Sequence, residues 1–428
     1  MISNWIAERM ARRGWHYGWV VVAVTFLTTL STAGGMGAAG IMIPPLRAEF
    51  GWSTETISSA MALRLGLFGL VAPFAAALMA RFGVRAVAMT ATTMITIGVC
   101  GSIFMTEAWH LMLWWGVVAG TGTGMTALVM GATVATRWFG ARRGLVVGVL
   151  TAANATGQLI FLPALAAISE AYGWRMALVG TMLAISAAFV LVALLMHDHP
   201  SDLGLAAFGE TEVKPPAQMA KGLMPLIAAP FVVLRAASRT GTFWALFGTF
   251  FICGMSTNGL IQTHWVSICG DFGLLPVAAA SILALIGVFD FIGTIGSGWL
   301  SDKFDSRWLL FWYYGLRGLS LVFLSYSGFL PIGLGIFAIF YGLDWIATVP
   351  PTVKLAAQRF GPEQAGMVFG WVFAGHQLGA ATATWGAGAI RTATGTYMPA
   401  LQTAGLLCLL AAMAILSVRR TPRPALGT

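Results

Sequence analysis

Four charged residues lie deep inside long apolar runs: Arg64, Asp290, Arg317 and Asp344. An ionisable group in hydrocarbon costs at least about 2.5–3.5 kcal/mol on insertion scales, so it persists only when paired or facing a polar cavity. In such a place a guanidinium attracts an anion and an aspartate can carry a proton. Uncharged polar residues accompany them: Asn154 and Gln158, then Asn258, Gln262 and His264, then His376 and Gln377. Asn258 and Gln262 are four apart and share a helix face, an arrangement suited to orienting a small polar ligand. The same residues do not suggest catalysis. His264, His376, Asp290 and Asp344 lack the local spacing of a metal site or an activated nucleophile. His197-Asp198-His199 is the one cluster of metal-ligand type, and without a further ligand group nearby it reads as the solvated start of a loop. No metal and no cofactor are expected.

The elements that carry these residues are membrane helices. Hydrophobic residues make up 58% of the 428 and charged residues 9%, against about 25% charged in a soluble domain. Apolar runs long enough to cross a bilayer core, about 20 residues, recur twelve times: near 17–46, 53–80, 86–106, 109–136, 143–170, 175–197, 240–268, 276–301, 308–328, 331–357, 363–391 and 396–418. The pattern has no strand alternation, so helices are the spanning elements. Cys100, Cys253, Cys269 and Cys408 sit in or beside these runs as small core residues, with no disulfide framework expected. The first residues, MISNWIAERMARRGWHYGW, lack a small-residue cleavage site after a short apolar core and read as a retained segment.

Placing the N-terminus inside puts nineteen of the 24 basic residues in inside segments and three in outside ones. Both termini are therefore expected on the cytoplasmic side. That asymmetry accounts for the net charge of +9 without a nucleic-acid partner. A constant shift of 222 positions then aligns the two halves. Glu49-Phe50-Gly51 falls on Asp271-Phe272-Gly273, Arg85 on Arg307, Arg137 on Arg359, and Asn154 on His376. The expected domains are residues 1–197, a six-helix half, and 240–428, its parallel repeat. The joining segment 198–239 carries a short interfacial helix over 225–239. A binding site is expected between the halves at mid-membrane, with Asn154 and His376 on opposing walls.

Gly298-Trp-Leu-Ser-Asp302-Lys303-Phe-Asp-Ser-Arg307 resembles the loop signature of the major facilitator superfamily. Its first-half copy keeps Arg81, Gly83 and Arg85 but has Ala76 and Ala80 at the Gly and Asp positions. Gly14-Trp-His-Tyr-Gly-Trp-Val-Val21 and Trp138-Phe-Gly-Ala-Arg142-Arg143 are similar to the monocarboxylate porter branch. The resemblance implies an all-α fold of twelve transmembrane helices in two pseudo-symmetric halves. Spans 3, 6, 9 and 12 would lie outside the central cavity. Arg81, Arg85, Asp302, Lys303 and Arg307 would then be gating or structural groups that tie helix ends together. Arg317 would be structural, and Asp344 either its partner or a cavity group. One departure stands out: the branch follows its span-8 Asp by an Arg four residues on, whereas Asp290 is followed by Thr294. The basic residue usual in span 1 is also missing, since nothing basic lies between His16 and Arg47.

The combined expectation is a secondary transporter, not an enzyme, for a small organic anion of the carboxylate class. Arg64 would attract the anion, while Asn154, Gln158, Asn258, Gln262, His264, His376 and Gln377 orient it. Asp290 would carry a coupling proton. An efflux carrier for amphipathic compounds and a non-transporting nutrient sensor remain open as alternatives. The expected setting is the lipid bilayer of a bacterial inner membrane, and the expected state is a monomer.

Overall fold

The computed structural model describes residues 2–126, 128–142, 145–150, 153, 157, 161–213 and 224–418. It describes their side chains except 2–4, 76, 80, 128, 224–227, 229, 302 and 362–366. Asn154, Gln158 and Arg143 lie outside the described residues, as does the side chain of Asp302.

Twelve spans form two halves of six. Span 1 is Gly18–Gly37 continued by Ala39–Phe50. Span 2 is Thr54–Phe82, and span 3 is Val84–Ile103. Span 4 is composite: Ala108–Leu111, a π-helical Met112–Ala119, Gly120–Met125 and Leu128–Trp138. Span 5 ends in Leu162–Tyr172, and span 6 is Trp174–Leu195. In the second half, span 7 is Gly241–Gly254, a π-helical Met255–Gln262 and Thr263–Gly270. Span 8 is Pro276–Lys303, and span 9 is Ser306–Tyr326. Span 10 is split into Pro331–Asp344 and Val349–Phe360. Spans 11 and 12 are Pro362–Thr394 and Met398–Ile415. Among the described residues, nine of these helices or helix chains are long and apolar enough by themselves to cross a membrane.

The duplication is visible in the backbone. Helix starts at Thr54 and Val84 fall on Pro276 and Ser306 after the shift of 222. Gly51 and Gly273, also equivalent, both take positive φ, +68° and +81°, after the first span of each half. That left-handed conformation is open to glycine at no steric cost and lets the chain reverse within two or three residues.

The halves share a broad core at one end, and spans 2 and 11 continue the contact along their length. One continuous core contains Ile41 to Leu46 of span 1, Ile57 to Met61 of span 2, Leu260 to Cys269 of span 7 and Ala279 to Ile286 of span 8. It fills the end remote from the chain termini. At the terminus end each half has its own core: Tyr17, Val134 and Trp138 centre one, and Phe243, Tyr314 and Trp371 the other. Spans 2 and 11 run against each other from Glu55, whose N–H donates to Thr392 Oγ1 at 3.2 Å, down to Phe68 on Phe373 and Phe74 on Trp371. Spans 1 and 7 touch backbone to backbone at Gly40, where a Cβ would sit 2.8 Å from the Gln262 carbonyl.

The joining segment is stitched to both halves. Phe208 pairs with the loop after span 4, its N–H donating to the Trp138 carbonyl and its own carbonyl accepting from Gly140. Further on, the helix Met224–Ala237 places Phe231 between Phe74 of span 2 and Trp371 of span 11. The Trp371 indole N–H donates to the Pro230 carbonyl at 2.8 Å.

The loop-signature residues tie helix ends within each half. Arg307 is bidentate on Asp305 and also donates to the Val418 carbonyl at 2.9 Å, binding the base of span 9 to the end of span 12. Its repeat partner Arg85 does the same in the first half, its guanidinium reaching the Ala193 carbonyl at the end of span 6. Asp198 replaces the acid that Ala80 lacks, accepting the Arg85 backbone N–H at 2.9 Å. Gly83 makes room for it, since a Cβ there would lie 2.3 Å from the carboxylate. Burial pushes the neighbouring His197 and His199 imidazoles below their ordinary range. Arg81 and Lys303 instead lie over aromatic rings, those of Phe82 and Trp299.

Candidate functional site

Arg64 lies at mid-length in span 2 and is 3% exposed. Three features define its surroundings. Its Nη1 donates to the Gly35 carbonyl at 3.0 Å. Span 1 is interrupted at Ala38, whose N–H donates to the carbonyls of Gly34 and Met36, and Arg64 takes the Gly35 carbonyl between them. Its guanidinium carbon lies 4.5 Å from the ring centroid of Trp115, which is fully buried in the π-helical part of span 4. Two glycines one turn apart bring that segment close. A Cβ on Gly116 would be 3.2 Å from the Ala60 carbonyl, and one on Gly120 would be 3.0 Å from Arg64 Cα. The third feature is an opening. Among the described residues Arg64 Nε has no hydrogen-bond partner, and it borders a cavity of about 20 Å³.

That cavity lies between the halves. Span 1 contributes Met36 and Ala39, and span 2 contributes Met61 and Leu65 beside Arg64. The opposite wall is Asn258, Gln262 and Thr263 of span 7. Asn258 and Gln262 reach it from the π-helical Met255–Gln262, and π-bulges of this kind recur at functional sites. A cavity of this size holds about one water, so a larger ligand enters only as the halves separate. Among the described residues no carboxylate forms an ion pair with Arg64, which leaves a buried cation facing two buried amides.

The remaining expected site residues take other positions. His264 is fully buried and both ring nitrogens are engaged: Nε2 donates to the Thr384 carbonyl at 2.9 Å, and Nδ1 accepts from the Tyr397 hydroxyl at 3.2 Å. It staples span 7 to spans 11 and 12 and does not line the cavity. His376 lies flat against Phe373 and also faces Phe250, with Nδ1 unpartnered. Gln377 packs on Gly69 with Oε1 unpartnered. Both belong to the seam between spans 2, 7 and 11 and not to the cavity wall.

Asp290, Arg317 and Asp344 come together in the second half, around the break in span 10. Arg317 Nε pairs with Asp344 Oδ2 at 2.7 Å, and Nη2 donates to the carbonyls of Asp344 at 2.6 Å and Trp345 at 3.1 Å. Asp290 Oδ1 accepts from the Thr294 hydroxyl at 3.0 Å and the Ile346 N–H at 2.9 Å. Thr294 thus occupies the Arg position of the branch pattern and serves the aspartate as a hydroxyl donor. Trp115, the paired glycines and Ser297, whose hydroxyl donates to the Ala347 carbonyl, were not among the expected site residues. Gly116-x-x-x-Gly120 and Pro350-Pro351 were the available signals for close helix contact and for a break.

The sequence profile described as the Major Facilitator Superfamily matches residues 25–384. The chain is 26% identical over 400 residues to monocarboxylate transporter 13 of Bos taurus, covering 92% of this chain and 87% of that one. It is 28% identical over 404 residues to monocarboxylate transporter 11 of Homo sapiens, covering 92% and 75%. An uncharacterized MFS-type transporter of Bacillus subtilis, YcxA, is 26% identical over 392 residues, covering 89% and 90%. Among solved structures, a partially occluded inward open conformation of the xylose transporter XylE from E. coli superposes with a TM-score of 0.71. The identity is 14%, with 94% of this chain and 98% of that one covered.

Proposed function

Because the chain belongs to the major facilitator superfamily, and is thus a secondary transporter and not an enzyme, we propose that its cargo is a small organic anion of the carboxylate class. Arg64 receives the anion, Asn258 and Gln262 orient it from the other half, and Asp290 carries a coupling proton. The observation that carries this reading is the contrast between two buried arginines. Arg317 is neutralised by Asp344 at 2.7 Å, whereas among the described residues Arg64 meets a carbonyl and an aromatic face and no carboxylate. A desolvated guanidinium without a counterion is costly, and an anionic ligand is the group that would offset that cost. Two of the relatives are named monocarboxylate transporters, which agrees with this class. The distribution of basic residues supports termini on the cytoplasmic side, and the proposed setting is a bacterial inner membrane with the protein as a monomer.

The test is Arg64→Gln, assayed for uptake and binding with a panel of labelled short-chain carboxylates. A charge-assisted hydrogen bond contributes about 1.5–3 kcal/mol, so affinity should fall about ten- to a hundredfold with little change in melting temperature. Early melting with unchanged affinity in the folded fraction would make Arg64 a structural residue and remove the proposal.

A further inference from the structure

We infer that the helix Ile2–Ala11 and the turn that follows it form a binding site for anionic phospholipid headgroups. The site lies apart from the anion cavity and does not depend on what the protein carries.

Residues 2–15, ISNWIAERMARRGW, divide apolar from charged groups at helical spacing. Ile6, Ala7 and Met10 form one face and pack on the terminus-end core of the first half, with the helix lying against span 6. Trp5, Glu8, Arg9 and Arg12 stand at i, i+3, i+4 and i+7 and form the opposite, exposed face. Gly14 ends the helix with φ +71°, and the Trp15 N–H returns to the Met10 carbonyl at 3.0 Å. Arg13 and Trp15 are exposed on this turn.

The exposed face combines cations with large aromatic rings. Among the described residues no carboxylate forms an ion pair with Arg9, Arg12 or Arg13, and Glu8 is the one acid in this stretch. Trp5 and Trp15 are 56% and 65% exposed. The Arg9 guanidinium carbon lies 5.1 Å from the Trp5 ring centroid. A guanidinium over a ring still presents its edge N–H groups, the geometry that pairs with a phosphate. Indole rings in turn favour the headgroup level of a bilayer, where one edge is apolar and the other wet.

The place of the helix says what covers it. Span 1 begins at Gly18, just after Trp15, and the Tyr17 hydroxyl donates to the carbonyl of Leu195, the last residue of span 6, at 2.9 Å. The helix therefore lies at the level where spans 1 and 6 leave the bilayer. Val190 and Leu194 of span 6, one turn apart, are exposed, while Val192 is buried in the core the helix packs on. Acyl chains must cover that apolar face of a membrane helix, and chains that end there set their headgroups beside Arg9, Arg12 and Arg13. An amphipathic helix with basic residues and Trp on its outer side is suited to that boundary, and the basic surplus selects anionic lipids over zwitterionic ones.

The experiment places the full-length protein in phosphatidylcholine nanodiscs, with a small fluorophore at Ala11→Cys in a Cys100→Ala background. Ala11 is exposed and the other three cysteines are buried. Brominated phosphatidylglycerol or brominated phosphatidylcholine is added at equal bromine content, and quenching reads which lipid sits beside the helix. A basic residue at an anionic surface contributes about fivefold in affinity, so three should enrich phosphatidylglycerol up to about a hundredfold. Arg9→Gln with Arg12→Gln and Arg13→Gln should remove the preference with the melting temperature unchanged, whereas Lys at the same three positions should keep most of it. Equal quenching by the two lipids overturns the proposal, and that comparison needs no variant at the three arginines. A preference that survives the triple Gln variant overturns it as well, as does one abolished by millimolar inorganic phosphate, which would mark a site for free anions. Arg64→Gln should retain the preference, so failure of the anion assignment and failure of the lipid site are read separately.

Discussion

Trp115→Leu asks whether the ring beneath Arg64 presents the guanidinium to a ligand or merely fills space. The guanidinium carbon is 4.5 Å from the ring centroid, and both residues are buried. A desolvated cation–π contact contributes about 2 kcal/mol, which at about 1.4 kcal/mol per factor of ten corresponds to roughly thirtyfold in affinity. Leucine removes the aromatic face but keeps an apolar side chain against span 2. Some stability is lost as well, because truncating a large buried aromatic leaves a cavity, so binding must be measured on the folded fraction. The assay is equilibrium binding of a labelled carboxylate, with Trp115→Phe in parallel. Phenylalanine keeps a π face and should retain most of the affinity, within about threefold, whereas leucine should lose up to about thirtyfold. Equal affinities for the two variants, or lower melting temperature with affinity intact, would show that Trp115 packs span 4 and does not position Arg64.

Gly254→Ala should lower the melting temperature even though alanine is favoured in helices by about 1 kcal/mol. Its Cβ would lie 1.8 Å from the His376 carbonyl, so spans 7 and 11 must part at a cost of about 1–3 kcal/mol; Gly248→Ala, with open space around it, is the control and should be neutral or stabilising. Asp198→Ala removes the acceptor for the Arg85 N–H at the start of span 3 and should cost about 0.5–2 kcal/mol, as loss of a helix cap does. An unchanged unfolding midpoint would show that Asp198 does not stand in for the acid missing at Ala80.

Much of the fold was legible from run length alone. A bilayer leaves the helix as the spanning element and sets its length, so the apolar runs near 53–80 and 276–301 became Thr54–Phe82 and Pro276–Lys303, with no end moved by more than two residues. The shift of 222 was equally legible, because duplicated glycines at 51 and 273 impose the same left-handed turn. Residue type also marked Arg64, Asp290, Arg317 and Asp344 as groups needing a partner or a cavity. It did not say which. Periodicity tells which side chains share a helix face, but not which neighbour that face meets. Each residue added by a π-turn rotates the rest of the helix by about 100°, with no distinct residue signature. The π-helical parts of spans 4 and 7 therefore decide that Trp115 lies under Arg64 and that Asn258 and Gln262 face it. His264 looked like a ligand because it is a histidine in a span, yet the Thr384 carbonyl and the Tyr397 hydroxyl, more than a hundred residues away in sequence, occupy both its nitrogens. Asp290 was expected to carry a coupling proton, and the break in span 10 places a backbone N–H against it. These partners are joined only when distant spans pack, which is why the tertiary structure, and not the spacing of residues along any one helix, sorts the buried polar groups into ligand-facing and structural ones.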